Sequence, residues 1–152
     1  MSARLVFATS NAHKVEELEA ILSPAWEGFE GGCVARMSDF DVESPVEDGV
    51  SFEENSLIKA RALARATGLA AIADDSGITV DVLGGAPGIF SARWAGSHGD
   101  DAANLRLLLD QLSDVPDRHR GAAFVSVAVL VTPAGREFVE RGQVRGRLAR
   151  VP

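Results

Sequence analysis

The most constraining feature of this sequence is a short apolar run that meets two adjacent carboxylates, in AIADDSG (Ala71–Gly77). Such a run is typical of a buried strand, and acid groups at its end are typical of a strand that delivers them to a cleft. The alternative is a polar turn, because Asp, Ser and Gly are common turn residues. The sequence therefore predicts that a strand ends near Ala73 and that a site or a turn follows it.

Hydrophobic periodicity and turn residues predict the remaining elements. Four helices are predicted. The first begins at Ala12, the second covers Phe52–Ala66 after a Ser51/Glu54 capping box, the third is a short segment at Ile89–Trp94, and the fourth covers Asp101–Leu112. The predicted strands are Leu5–Ala8, a weaker Cys33–Met37, Ala70–Ala73, Ile78–Val82, Phe124–Thr132 and a partner from Arg136. Gly142 and Gly146 are expected to interrupt this last strand, which we expect to be an uncovered edge that needs a partner.

Composition limits the class of protein. The 152 residues are 46% hydrophobic, which suits one globular domain over residues 1–152. The net charge of -7 argues against broad attraction to nucleic acid or to an anionic membrane. Cys33 is the only cysteine and no apolar run is long enough to span a bilayer, so we expect a cytoplasmic protein.

The junction between the first strand and the first helix is a candidate phosphate site. It carries Thr9, Ser10 and Asn11, and Lys14 follows about one turn into the helix. A helix N-terminus presents free N–H groups and the positive end of the helix dipole to an anion. The alternative is helix capping, for which Ser and Asn are preferred without any ligand.

A second lysine and the acid pair are candidates for the chemistry. Lys59 shares a mostly apolar helix face with Asn55, so it is either directed into a cleft or packed with its ammonium in water. Strand alternation sends Asp74 and Asp75 to opposite faces if the strand continues through them, so only one would face a substrate. A carboxylate there can bind Mg²⁺ or deprotonate water, and Glu47 is a possible second ligand.

Four motifs together resemble one known family. They are Thr9-Ser10-Asn11-x-x-Lys14, SFEENSLIKARA (Ser51–Ala62), AIADDSG (Ala71–Gly77) and LGGAPGIFSARWAG (Leu83–Gly96), in this order. The sequence resembles the inosine/xanthosine triphosphate pyrophosphatases, also called the Ham1-like family, over essentially its whole length. Four separated motifs in order are far more specific than any one of them.

The resemblance implies both a fold and an activity. The implied fold is α/β, with an elongated mixed β-sheet flanked by helices, in a homodimer. The implied enzyme uses Mg²⁺ to hydrolyse ITP, dITP and XTP to the monophosphate and pyrophosphate. By resemblance, Thr9, Ser10, Asn11, Lys14, Lys59 and Ser76 bind substrate, Asp75 is the base and a metal ligand, and Glu47 is a further metal ligand.

The sequence departs from the family pattern at its C-terminal end. Related proteins continue with a glycine-aromatic-aspartate segment and a serine-histidine-arginine segment that line the base pocket, and neither occurs here. We therefore expect a C-terminally shortened pyrophosphatase with triphosphate and Mg²⁺ binding, weak base selection and reduced or absent turnover. The alternatives are a non-catalytic nucleotide-binding or dimerisation module of the same fold and, with less support, a phosphoacceptor receiver domain.

Overall fold

The computed structural model describes residues 4–152 and contains a five-stranded sheet with the strand order β2-β1-β3-β4-β5. The strands are β1 (Leu5–Phe7), β2 (Val34–Arg36), β3 (Ala70–Val80), β4 (Gly121–Val131) and β5 (Glu137–Arg147). The helices are α1 (Ala12–Leu22), α2 (Phe52–Thr67) and α3 (Asp101–Gln111), with a longer 3₁₀ turn at Gly88–Arg93. β1 pairs in parallel with both β2 and β3, whereas β4 and β5 form a hairpin. The predicted α/β class with a mixed sheet is therefore confirmed.

The helices lie where the periodicity predicted them. α2 begins directly after Ser51 and ends at Thr67, and Gly68 follows it with a φ of 69° while its N–H donates to the carbonyl of Ala64 over 2.9 Å. A left-handed residue at this position favours glycine, which explains why the helix ends there. None of the helices within residues 4–152 combines the length and the apolar character needed to cross a membrane.

The predicted end of a strand at Ala73 is wrong. β3 continues through Asp74, Asp75, Ser76 and Gly77 to Val80, so the two strands expected on either side of these residues are one. The second half of the strand has its own partners, because the N–H of Val80 donates to the carbonyl of Ala86 over 3.0 Å. Tertiary pairing has thus overridden the local turn preference of the acidic and glycine residues.

The β4–β5 hairpin keeps one register along its length. The N–H of Thr132 donates to the carbonyl of Arg136 over 2.9 Å at the turn, and the N–H of Leu148 donates to the carbonyl of Arg120 over 3.0 Å at the other end. The expected interruption of β5 by its glycines is therefore wrong. β5 lies at the edge of the sheet and all of its residues are exposed, which confirms the prediction of an edge strand.

The chain divides into two compact units, each with its own core. The first contains the residues up to Gly49, Glu53–Asp74 and Ala128–Glu140, and its core packs α1 against β1 and β2 around Leu5, Phe7, Val15, Cys33 and Val34. The second contains Val50–Phe52, Asp75–Val127 and Arg141–Pro152, and its core includes Val80, Leu108, Leu112 and Ala122. A single domain over residues 1–152 stays a prediction.

Candidate active site

The segment between β1 and α1 caps the helix. Asn11 is the N-cap residue, and its Oδ1 accepts the N–H of His13 over 3.0 Å. The N–H of Asn11 in turn donates to Oγ1 of Thr9 over 3.1 Å, and Ser10 is exposed. The capping interpretation is therefore confirmed for Asn11. It does not compete with phosphate binding, because a capped N-terminus keeps its dipole and further N–H groups.

Lys14 of α1 contacts the acid pair. Its Nζ lies 3.0 Å from Oδ2 of Asp74, and the side chains of Lys14 and Asp74 are 44% and 22% exposed. The pair joins residues that are sixty positions apart in the chain. The phosphate-site candidate at the start of α1 is thus tied to the strand that carries the carboxylates.

Lys59 of α2 is directed at the same residue. Its Nζ donates to the backbone carbonyl of Asp74 over 2.6 Å and lies 3.3 Å from Oε2 of Glu47. The Lys59 side chain is only 18% exposed, so its ammonium is not held out in bulk water. Lys14, Glu47, Lys59 and Asp74 therefore form one group, called here the lysine–carboxylate cluster.

Asn55 supports the cluster from within α2. It is 2% exposed, and its Oδ1 accepts the N–H of Gly49 over 2.9 Å. This bond fastens the loop that carries Glu47 to the helix one turn before Lys59. A side chain at Gly49 would press against Asn55 and Glu54, with 2.7 Å to each from an added Cβ. The only signal in the sequence for this role is a polar residue on the apolar stripe of α2.

Asp75 directly follows the cluster residue Asp74 in β3. Because the strand continues through both, their side chains project to opposite faces. Oδ1 of Asp75 accepts the N–H of Ser76 over 3.1 Å, and Ser76 is exposed. Asp74 thus contacts both lysines, one through its carboxylate and the other through its backbone carbonyl, and Asp75 follows it directly along the strand.

An ion pair outside the cluster shifts the pKa values of both of its members. Nε and a terminal nitrogen of Arg61 donate to the two carboxylate oxygens of Glu137 over 2.6 and 2.9 Å. This hydrogen bond lowers the pKa of Glu137 and raises the pKa of Arg61. The pair joins α2 to β5 and is partly exposed.

No three His, Cys, Asp or Glu residues within the described residues 4–152 lie together as a ready-made metal site. Such a site is not needed for Mg²⁺, which proteins hold through one or two carboxylates together with water and substrate phosphates. The carboxylate oxygens of Asp75 and Glu47 are the hard donors that this ion prefers. The donor chemistry therefore fits Mg²⁺ bound together with a phosphorylated substrate.

The model of the Ham1 family matches residues 5–152. The chain belongs to the Ham1 family. The matched residues include β1, the lysine–carboxylate cluster and the β4–β5 hairpin. The resemblance inferred from the four motifs is confirmed.

Proteins named dITP/XTP pyrophosphatase and solved structures are similar to this chain. A dITP/XTP pyrophosphatase of Streptomyces avermitilis is 58% identical over 149 residues, which are 98% of this chain and 74% of that protein. One from Leifsonia xyli is 55% identical over 147 residues, or 97% of this chain and 71% of that protein. The crystal structure of a nucleoside-triphosphatase / dITP/XTP pyrophosphatase from Mycobacterium abscessus superposes with a TM-score of 0.87 at 50% identity, covering 100% of this chain and 76% of that one.

A more distant Ham1 relative shares the same fold. The structure of a HAM1 protein from Coxiella burnetii has a TM-score of 0.87 at 34% identity and covers 99% of this chain and 75% of that chain. These Ham1 proteins are all longer than the part that matches here. This agrees with the expectation that the family pattern extends beyond the matched region.

Proposed function

We propose that this chain hydrolyses the purine nucleoside triphosphates dITP, XTP and ITP to the monophosphate and pyrophosphate. Relatives with 50–58% identity over nearly the whole chain are dITP/XTP pyrophosphatases. The structural observation that carries the proposal is the convergence of Lys14 and Lys59 on Asp74, which directly precedes the acid candidate Asp75 in the strand. Two ammonium groups beside a carboxylate suit a triphosphate and a water nucleophile.

The two lysines and the start of α1 bind the phosphates in this proposal. Lys14 and Lys59 supply positive charge, and Thr9, Ser10 and Asn11 supply hydroxyl, amide and backbone donors at the helix N-terminus. The contacts with Asp74 and Glu47 hold both ammonium groups in place before substrate arrives. Such preorganised charge stabilises the negative charge that develops as the bond between the α- and β-phosphates breaks.

Asp75 is the proposed general base. Its carboxylate accepts the proton of the attacking water, while the N–H of Ser76 holds one carboxylate oxygen over 3.1 Å. The Ser76 hydroxyl is exposed and available to substrate. Asp75 and Glu47 are the carboxylates that would hold Mg²⁺, and the ion would supply charge neutralisation there.

Two further expectations belong to the proposal. A homodimer is part of the proposal, with the edge strand β5 as the surface for the second chain. A cytoplasmic location is supported by the buried free thiol of Cys33, which fits a reducing compartment. Light scattering and cell fractionation test these two expectations separately.

Pyrophosphate release tests the function. Wild-type chain, Asp75→Asn and the exposed α3 variant Asp110→Asn are compared with ITP, dITP and XTP, with and without Mg²⁺. We expect Mg²⁺-dependent release that Asp75→Asn lowers by about 10²-fold or more and Asp110→Asn leaves unchanged. Equal rates for the wild type and Asp75→Asn contradict the assigned base.

Calorimetry separates the enzyme from its alternative. Binding of ITP with Mg²⁺ but no pyrophosphate over long incubation favours the non-catalytic nucleotide-binding module. The ratio of the ITP rate to the GTP rate tests the expectation of weak base selection. A strongly ITP-selective chain contradicts that expectation and leaves the pyrophosphatase proposal intact.

A further inference from the structure

The turn Gly88–Ser91 packs closely against β3 just after Asp75 and Ser76. A Cβ added at Gly77 would overlap the carbonyl oxygen of Gly88 and would lie 2.5 Å from Oγ of Ser91. Gly77 therefore lacks a side chain because the backbone of the turn occupies that space. The close approach places Ser91 beside the strand that carries the proposed base.

The Ser91 hydroxyl acts as a backbone partner for β3. It accepts the N–H of Ile78 over 2.9 Å and donates to the carbonyl of Gly88 over 2.6 Å. Two residues further on, the N–H of Val80 donates to the carbonyl of Ala86 over 3.0 Å. Alternate residues direct their N–H groups to the same edge of a strand. At Ile78 the Ser91 hydroxyl thus takes the place of the backbone acceptor that a neighbouring strand would provide. The same hydroxyl also bonds the Gly88–Ser91 turn, so it connects this turn to β3.

The same alternation connects Ser91 to the acid. Ser76 lies two residues before Ile78, so its N–H faces the same edge, and this N–H donates to Oδ1 of Asp75 over 3.1 Å. The Ser76 peptide is therefore one of the groups that hold the Asp75 carboxylate. If the Ile78 N–H loses the Ser91 hydroxyl as its acceptor, the backbone orientation of the preceding peptides, including that of Ser76, is no longer fixed at Ile78.

We propose that Ser91 is a positioning residue for pyrophosphate release, holding Asp75 and Ser76 in their reactive orientation through the Ile78 peptide. The proposal rests on the proposed function. It adds a residue from the LGGAPGIFSARWAG segment that makes no contact with substrate in the proposed mechanism. Reactions that depend on a well-placed base are sensitive to displacements of about 1 Å, which can cost about 10²-fold in rate.

Ser91→Ala tests this role against Thr67→Val. Thr67 makes the same kinds of bond at the end of α2, since its hydroxyl donates to the carbonyl of Leu63 over 2.8 Å and accepts the N–H of Leu69 over 3.2 Å. Both changes remove a hydroxyl that pairs two backbone groups. Kinetics are measured well below the melting temperature of each variant, so that lost folding does not affect the rate.

We expect Ser91→Ala to lower kcat by about 10-fold to 100-fold with KM within about threefold of wild type. Thr67→Val keeps kcat within about twofold despite a similar fall in melting temperature. A Ser91→Ala kcat within about twofold of wild type, accompanied by lower thermal stability, overturns the proposal, because the role is then structural only.

Amide hydrogen exchange separates this proposal from the proposed function. If the wild-type chain releases no pyrophosphate, the proposed function fails, and exchange in Ser91→Ala decides the positioning claim. Faster exchange at Ser76 as well as at Ile78 supports it. Faster exchange confined to Ile78 overturns it, since the effect does not then reach the peptide that holds Asp75.

Discussion

Replacing Lys59 by methionine removes the less exposed of the two cluster ammonium groups and keeps most of the packing of its stem. The variant loses the 2.6 Å bond to the Asp74 carbonyl and the 3.3 Å pair with Glu47. A hydrogen bond from a charged group is worth about 1.5–3 kcal/mol and a partly exposed pair up to about 1 kcal/mol. We expect the free energy of unfolding to fall by about 2 kcal/mol, which lowers the melting temperature by about 4–8 °C.

The effect of Lys59→Met on catalysis is expected to exceed its effect on stability. Losing one preorganised donor to a developing negative charge costs about 10²–10³-fold in rate, or about 2.7–4 kcal/mol. The assay is kcat/KM for XTP at a temperature where the variant is fully folded. Arg61→Met is the matched control, because Arg61 lies on the same helix but pairs with Glu137. We expect the control to stay within about twofold of wild type, since exposed ion pairs contribute little.

The comparison of Lys59→Met with Arg61→Met tests the catalytic role of Lys59. If Lys59→Met and Arg61→Met reduce kcat/KM by the same small factor, Lys59 stabilises only the fold. Its contacts with Asp74 and Glu47 would then be a structural ion-pair group, and the triphosphate would have to bind elsewhere.

Two further predictions concern stability. Arg120 is 2% exposed and donates hydrogen bonds to the carbonyls of Leu112, Leu148 and Ala149. Arg120→Met should therefore lower the free energy of unfolding, measured by denaturant titration, by about 3 kcal/mol. An unchanged denaturation midpoint contradicts this expectation. Folding lowers the pKa of Glu137 below its ordinary 4.5, so its contribution is present above that pH and is lost as the pH falls through the lower folded value. Glu137→Gln should therefore flatten the fall in melting temperature between about pH 6 and about pH 3, and an unchanged slope contradicts the assignment.

Helices could be predicted well where local signals agree with the fold. α2 follows Ser51, contains strong helix formers and ends before Gly68, and its observed bounds differ from the expected ones by one residue. Local capping and periodicity are sufficient there because they depend on residues close together in the chain.

β3 shows where local signals fail. The pair Asp74–Asp75 followed by Ser76 and Gly77 has the composition of a turn, yet the strand runs through it. Its continuation depends on the hydroxyl of Ser91 and on the backbone of the turn before it, which are distant in sequence. β5 is a similar case, because the long partner strand β4 keeps it in register despite its glycines.

The site was predicted as a set of residues, but its internal connections were not. The sequence indicated Lys14, Lys59 and Glu47 as separate candidates. Only the structure shows that Asp74 contacts both lysines and that Lys59 also pairs with Glu47. Contacts between segments this far apart have no periodic or local signal. The chemical roles of these residues stay predictions.

Phosphorus NMR of the products of XTP hydrolysis shows which phosphoanhydride bond this chain breaks. We expect XTP to give XMP and pyrophosphate in equal amounts, and Asp75→Asn to lower both signals by about 10²-fold or more. The appearance of XDP with inorganic phosphate would contradict it, since the cluster would then direct water to the terminal phosphate.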